Sequence, residues 1–110
     1  MSEKSEAKRD GAKLQKNSGR GEYQKGDATL NGFCVDYKEY AESFSVSRKV
    51  WAKCNTDAWK MGLRPALKLV LGKENKVRLW VIDDQTMHDL LDKEAELERL
   101  QNLEDERYTE

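Results

Sequence analysis

The stretch that decides the fold is Asp27-Ala-Thr-Leu-Asn-Gly-Phe-Cys-Val-Asp-Tyr-Lys-Glu-Tyr40. At its centre, Asn31-Gly32 is the dipeptide preferred by a two-residue type I′ hairpin turn, where both central residues need positive φ. Counting outward from that turn pairs Leu30 with Phe33, Thr29 with Cys34, Ala28 with Val35 and Asp27 with Asp36. In the second strand Phe33, Val35 and Tyr37 alternate with Cys34, Asp36 and Lys38, so one set faces a core and the other does not. Directly opposed residues share a face, with Cβ atoms about 4.5 to 5.5 Å apart. Asp27, Asp36 and Lys38 are therefore expected together on one side of the sheet, provided the register does not slip by one residue.

Two carboxylates held side by side repel, and a hairpin tolerates that poorly unless a cation lies between them. A divalent ion is the natural occupant. Hard oxygen donors suit Mg²⁺ or Mn²⁺, with coordination positions left for a phosphate oxygen and a water. An ammonium at Lys38 could then orient or activate the attacking water, or stabilise charge developing on the phosphorus. The plainer reading of Asp36-x-Lys38 alone is a solvated strand face, since the motif is short and common. Asp27 opposite it is what raises the pattern above that reading.

Outward from the hairpin, residues 2–15 are rich in Lys, Glu and Ala and predict a short helix ending near Gly11, while the Gly-rich, polar run 16–26 reads as a loop. Ser45 or Ser47 can cap a helix running to about Met61, with Val50, Cys54, Ala58 and Met61 on one stripe and Gly62 as its left-handed stop. Two apolar strands follow, 66–71 and 77–82. Asp83 or Asp84 can cap a last amphipathic helix carrying Met87, Leu90, Leu91, Leu97, Leu100 and Leu103. The order is α-β-β-α-β-β-α, an α/β (α+β) chain with a mixed sheet flanked by helices.

With 110 residues the chain has room for one domain of modest core. No apolar run approaches the roughly 20 residues of a membrane helix, and Met1–Asp10 is charged with no apolar segment behind it, so a soluble, cytoplasmic protein is expected. Cys34 and Cys54 lack the spacing of a zinc site and read as reduced, packed thiols. His88 is the only histidine, which leaves serine or cysteine nucleophiles without their usual base. Net charge is −1, but residues 1–91 hold 17 Lys/Arg against 13 Asp/Glu, whereas residues 92–110 hold 3 against 8. The body is mildly basic and compatible with a nucleic-acid face; the tail is acidic.

Gly26-Asp27, then Asp36-Tyr37-Lys38 on a strand, then a helix and an apolar strand, resembles the PD-(D/E)xK nuclease superfamily, whose core order is α-β-β-β-α-β. Ser18-Gly-Arg-Gly21 leading into Lys25-Gly-Asp27 looks more narrowly like the small phage and archaeal Holliday junction resolvases. The resemblance spans about residues 2–83. It implies a restriction-endonuclease-like sheet, a nuclease core over residues 1–91 with an acidic helical tail over 92–110, and Mg²⁺- or Mn²⁺-dependent hydrolysis of DNA phosphodiesters, on branched or otherwise structured DNA. Ends, flaps or single strands are alternative substrates, and a non-catalytic DNA-binding or assembly module is the rival from another class. By the same resemblance Asp27 and Asp36 are metal ligands, Lys38 is the catalytic lysine, and an acid on the first helix completes the site: Glu3 or Glu6, with Glu3 preferred because Ser2-Glu3 followed by Ala7 and Gly11 fits the phage pattern. The chain departs from the superfamily in having no Pro before Asp27, and the order read above holds two strands before the central helix where the family has three.

Phosphate contacts are expected at Ser18 and Arg20, at Lys25, and at the start of the central helix from Ser45, Ser47, Arg48 and Lys53, where N–H groups, hydroxyls and cations coincide. Loop and capping roles are the plainer readings of these residues. Trp51 and Trp59 read as core or interface rather than base-stacking groups. The leucine-bearing tail suits a homodimer, since symmetric cutting of a four-way junction needs two sites at fixed separation.

Overall fold

The computed structural model describes residues 3–16 and 23–108; the side chains of residues 3, 4, 15, 16, 23–27 and 108 lie outside the description. Its elements run α1 (Glu3–Asp10), β1 (Lys13–Lys16), β2 (Tyr23–Leu30), β3 (Phe33–Tyr40), α2 (Arg48–Lys60), β4 (Arg64–Leu71), β5 (Val77–Val81) and α3 (Asp84–Tyr108). The five strands form one mixed sheet in the order β1-β2-β3-β4-β5, giving the expected α/β architecture with a C-terminal helix.

The hairpin has the counted register. Asn31 and Gly32 take φ of 45° and 85°, and the pairs Leu30–Phe33, Thr29–Cys34, Ala28–Val35 and Asp27–Asp36 follow. Two segments differ from expectation. Lys13–Lys16, beyond the expected helix end near Gly11 and not expected as a strand, forms β1 and pairs antiparallel with β2, while Tyr23–Gly26, expected as loop, opens β2. Both strands exist through tertiary pairing rather than local propensity. Gly11, with φ of 77°, turns the chain out of α1, and the Ala12 N–H reaches back to the Ala7 carbonyl at 2.8 Å. With β1 present, three strands precede α2.

β3 and β4 are parallel, from Phe33–Arg64 to Tyr40–Leu71. A parallel pair needs a crossover, which α2 supplies. Ser47 caps it, its Oγ accepting from the Val50 N–H at 3.1 Å, and Gly62 at φ 68° ends it. Cys54 and Ala58 are the buried residues of α2, and Trp59 stands 78% exposed, outside the core.

Strand alternation divides the sheet. Ala28, Val35, Tyr37 and Ala66 pack with Ala7 of α1 on one face. Cys34, Asp36 and Lys38 turn to the other, together with Leu67 and Leu69, which pair with Asp36 and Lys38. Cys54 of α2 reaches the Ala66 carbonyl through its Sγ at 3.5 Å, and both cysteines are buried thiols outside any disulfide. No helix among the described residues is long and apolar enough to cross a membrane.

α3 is one unbroken helix of 25 residues, so the change of charge at residue 92 falls inside it rather than at a break. Asp83 opens it by accepting from the Thr86 N–H, and Arg64 ties its first turns through Thr86 and Asp89. From Leu91 to Arg107 every residue is exposed.

Candidate active site

The site rests on β2 and β3. The backbone sets Asp27 directly opposite Asp36, and Ala28 beside it belongs to the α1 face, which assigns the Asp27 position to the Asp36 face. Asp36 itself is only 6% exposed. Lys38, two residues on, brings its Nζ to 3.6 Å from Asp36 Oδ1. The expected face is therefore formed by β3, with Asp27 in register across from it.

Burial pushes the Asp36 carboxyl above its ordinary pKa. The cations Lys38 and Lys53 oppose that rise, and Asp57 adds to it. Lys53 and Asp57 sit one turn apart on α2 and pair at 3.0 Å, so α2 sends one charge of each sign toward the same carboxylate. A carboxylate that burial makes reluctant to ionise gains more from a nearby cation than a solvated one does. Two oxygen-donor residues, one of them desolvated, suit a hard divalent ion. Among the described residues no three acidic, histidine or cysteine side chains converge on a point, and the Asp27 side chain is not among those searched.

The remaining candidates are scattered. Glu3 is the first residue of α1, with its side chain outside the described residues. Glu6, the alternative, is buried on the opposite face. Its Oε1 accepts from Arg78 Nε at 2.9 Å and lies 3.0 Å from Lys68 Nζ. Ser18 and Arg20 fall outside the described residues, and Lys25 is placed in β2 by backbone alone. Ser45 and Arg48 are exposed at the entrance to α2; the Ser47 hydroxyl is engaged in capping. Lys53 is the one of these cations whose charge reaches Asp36.

Sequence reasoning missed the charged cluster under α1. Lys68 is 1% exposed in the middle of β4 and bridges Glu6 and Asp10, at 3.0 and 2.7 Å; Asp10 also accepts from the Tyr37 hydroxyl at 3.0 Å. Arg78 and Lys68 hold Glu6 down to about pKa 2, Arg78 by the larger effect, while burial and Asp10 push Tyr37 up. The signal was a lone lysine inside the apolar run Ala66-Leu-Lys-Leu-Val-Leu71, which can be buried only against acids. Glu6 and Asp10, four apart on a helix, supply them.

No protein-family model matches the chain, and no curated protein and no solved structure is significantly similar to it.

Proposed function

We propose that this protein is a divalent-metal-dependent DNA endonuclease of the PD-(D/E)xK type, acting on branched DNA in the manner of Holliday junction resolvases. The observation that carries the reading is the register: two acidic residues directly opposed across β2 and β3, with an amine on the same face. The first six elements, α-β-β-β-α-β, also have the order that the resemblance implies. Asp27 and Asp36 would hold Mg²⁺ or Mn²⁺. The ion, when bound, polarises the scissile phosphate and lowers the pKa of a water.

The chain's own residues do the rest. Asp36, desolvated beneath α2, keeps its carboxylate aimed by the close partner Lys38. The Lys38 ammonium, on the same face as Asp36, would stabilise the charge gathering on the non-bridging oxygens of the phosphate. Lys53, with the exposed Arg48 at the head of α2, offers cations to the flanking phosphates.

The test is incubation of labelled four-way junctions, flaps, duplexes and single strands with the protein in Mg²⁺. Asp27→Asn and Lys38→Ala should each lower cleavage by at least about 100-fold with the fold retained. Equal cutting by Asp27→Asn removes the mechanism. Cutting of ends in preference to junctions leaves the chemistry and removes the resolvase assignment. Binding without product, indifferent to metal, identifies a DNA-binding module instead.

A further inference from the structure

α3 runs for 25 residues, about 37 Å at 1.5 Å per residue, and its own domain leaves most of it uncovered, every residue from Leu91 to Arg107 being exposed. Amphipathic helices in folded proteins owe most of their stability to what the apolar face packs on. Here that face is bare. Leu97 lies within about 20° of Leu90 around the helix and Leu100 about 60° further in the same sense, so the three share one stripe, between 42% and 59% exposed. At the root of the helix Leu90 also lines an apolar cleft of about 260 Å³, with Phe33, Ala66, Trp80 and Ile82 on the α1 face of the sheet. Through Leu90, stripe and cleft form one continuous apolar surface.

Charge limits what can cover it. α3 holds nine acidic residues against three basic ones. Glu94, Glu98 and Asp105 border one side of the stripe, without a counter-ion among the described residues. Asp92 and Glu96 border the other, where Glu96 holds Arg99 at 2.6 Å and Arg107 stands near the far end. Two copies of α3 laid together would set acid on acid in either direction. Parallel pairing brings Glu94 against the Asp92 and Glu96 border of the other copy, and antiparallel pairing brings the border of Glu94, Glu98 and Asp105 against itself. An apolar stripe between carboxylates that repel their own kind is complementary to a basic partner.

We propose that this surface receives an amphipathic helix of another protein, apolar on one face, with Lys or Arg along both borders and an apolar residue at its tip that enters the cleft. About three turns suffice, since Leu90 to Leu100 span about 15 Å along α3. Lys93 lies within the stripe, between Leu90 and Leu97. One acidic residue in the partner's apolar face, opposite Lys93, therefore fixes the register, as a single polar residue does in a helical seam. Asp36 and Lys38 lie across the sheet from the cleft, so docking here is independent of the nuclease assignment.

The probe is a synthetic helical peptide of three heptads with Leu in the seam, one Glu at its centre and Lys along both borders; its counterpart carries Glu along the borders. Titrated with the full chain at about 0.15 M salt and followed by fluorescence anisotropy, the Lys peptide should form a one-to-one complex at least about 100-fold tighter than the Glu peptide. Leu97→Glu, at an exposed position that leaves the circular dichroism unchanged, should weaken the complex at least about tenfold. Leu91→Glu, at an exposed leucine about 120° around the helix from Leu97, should not weaken it. Covering the cleft should shift Trp80 emission to the blue, a shift absent in Trp80→Phe. Equal binding of the two peptides, indifference to Leu97→Glu, equal loss in Leu91→Glu, or emission that does not move in the complex overturns the assignment. So does a concentration-dependent dimer of the chain alone that Leu97→Glu disperses, which gives the face to a second copy.

Discussion

Asp36 is where stability and the proposed activity pull against each other. Its carboxyl pKa is raised in the folded chain, chiefly by burial. A folded pKa above the unfolded one means that the native state holds its proton more tightly, so this residue favours folding at acid pH and loses that contribution as pH rises through the folded value. At neutral pH without metal, Asp36 is a cost. Asp36→Asn should therefore stabilise the fold at pH 7 by an amount on the order of 1 kcal/mol, read as a raised melting temperature, while abolishing cleavage; thermal scans at pH 7 beside the junction assay check both. The same reasoning gives a metal test free of catalysis. Millimolar Mg²⁺ should stabilise the wild-type chain by mass action and leave Asp27→Asn unmoved. Equal shifts in both would place the ion elsewhere.

The elements rest on two kinds of anchor. The β2–β3 hairpin depends on its turn, where Gly32 sits at φ 85° with open space around it, so Gly32→Ala meets backbone strain and no clash. About 1 kcal/mol of lost stability is expected from denaturant titration. α1 is held differently, since Ala7 is its one buried apolar residue and the ion pairs of Glu6 and Asp10 do most of the fastening. Glu6 has a depressed pKa, so its contribution is present above the unfolded carboxyl value and disappears as pH falls toward about 2. Glu6→Gln should cost about 3 kcal/mol at pH 7, because it leaves Lys68 and Arg78 short of an acid, and its unfolding curve should lose the acid-limb dependence of the parent. The hairpin, the two later strands and the starts of the two later helices, each to within a choice of two capping residues, were legible in the sequence because each is written in adjacent residues. β1 was not, because Lys13-Leu-Gln-Lys16 becomes a strand only by pairing with β2, across a connection that its own residues do not encode. Half of the candidate site was legible for the same local reason. The α2 charges Lys53 and Asp57, which converge on Asp36, required the crossover geometry of the parallel pair before their meeting could be seen.

For the whole molecule, the sheet acts as a partition: the carboxylate and amine of the proposed chemistry on one side, α1 and the buried ion cluster on the other. That separation lets the two faces be altered independently. The partition also has an open margin. β5 is the last strand of the sheet among the described residues, and Val77-Arg-Leu-Trp-Val81 is a short run of strong strand-formers interrupted by one charge. A bare margin of that composition is a template for stacking further chains into fibrils. Arg78 guards it while Glu6 holds the guanidinium down on the α1 side. Protonating Glu6 unfastens the guard, so storage below about pH 2 should end in thioflavin-positive deposits rather than in a soluble unfolded chain, and replacing Leu79 by lysine should prevent them.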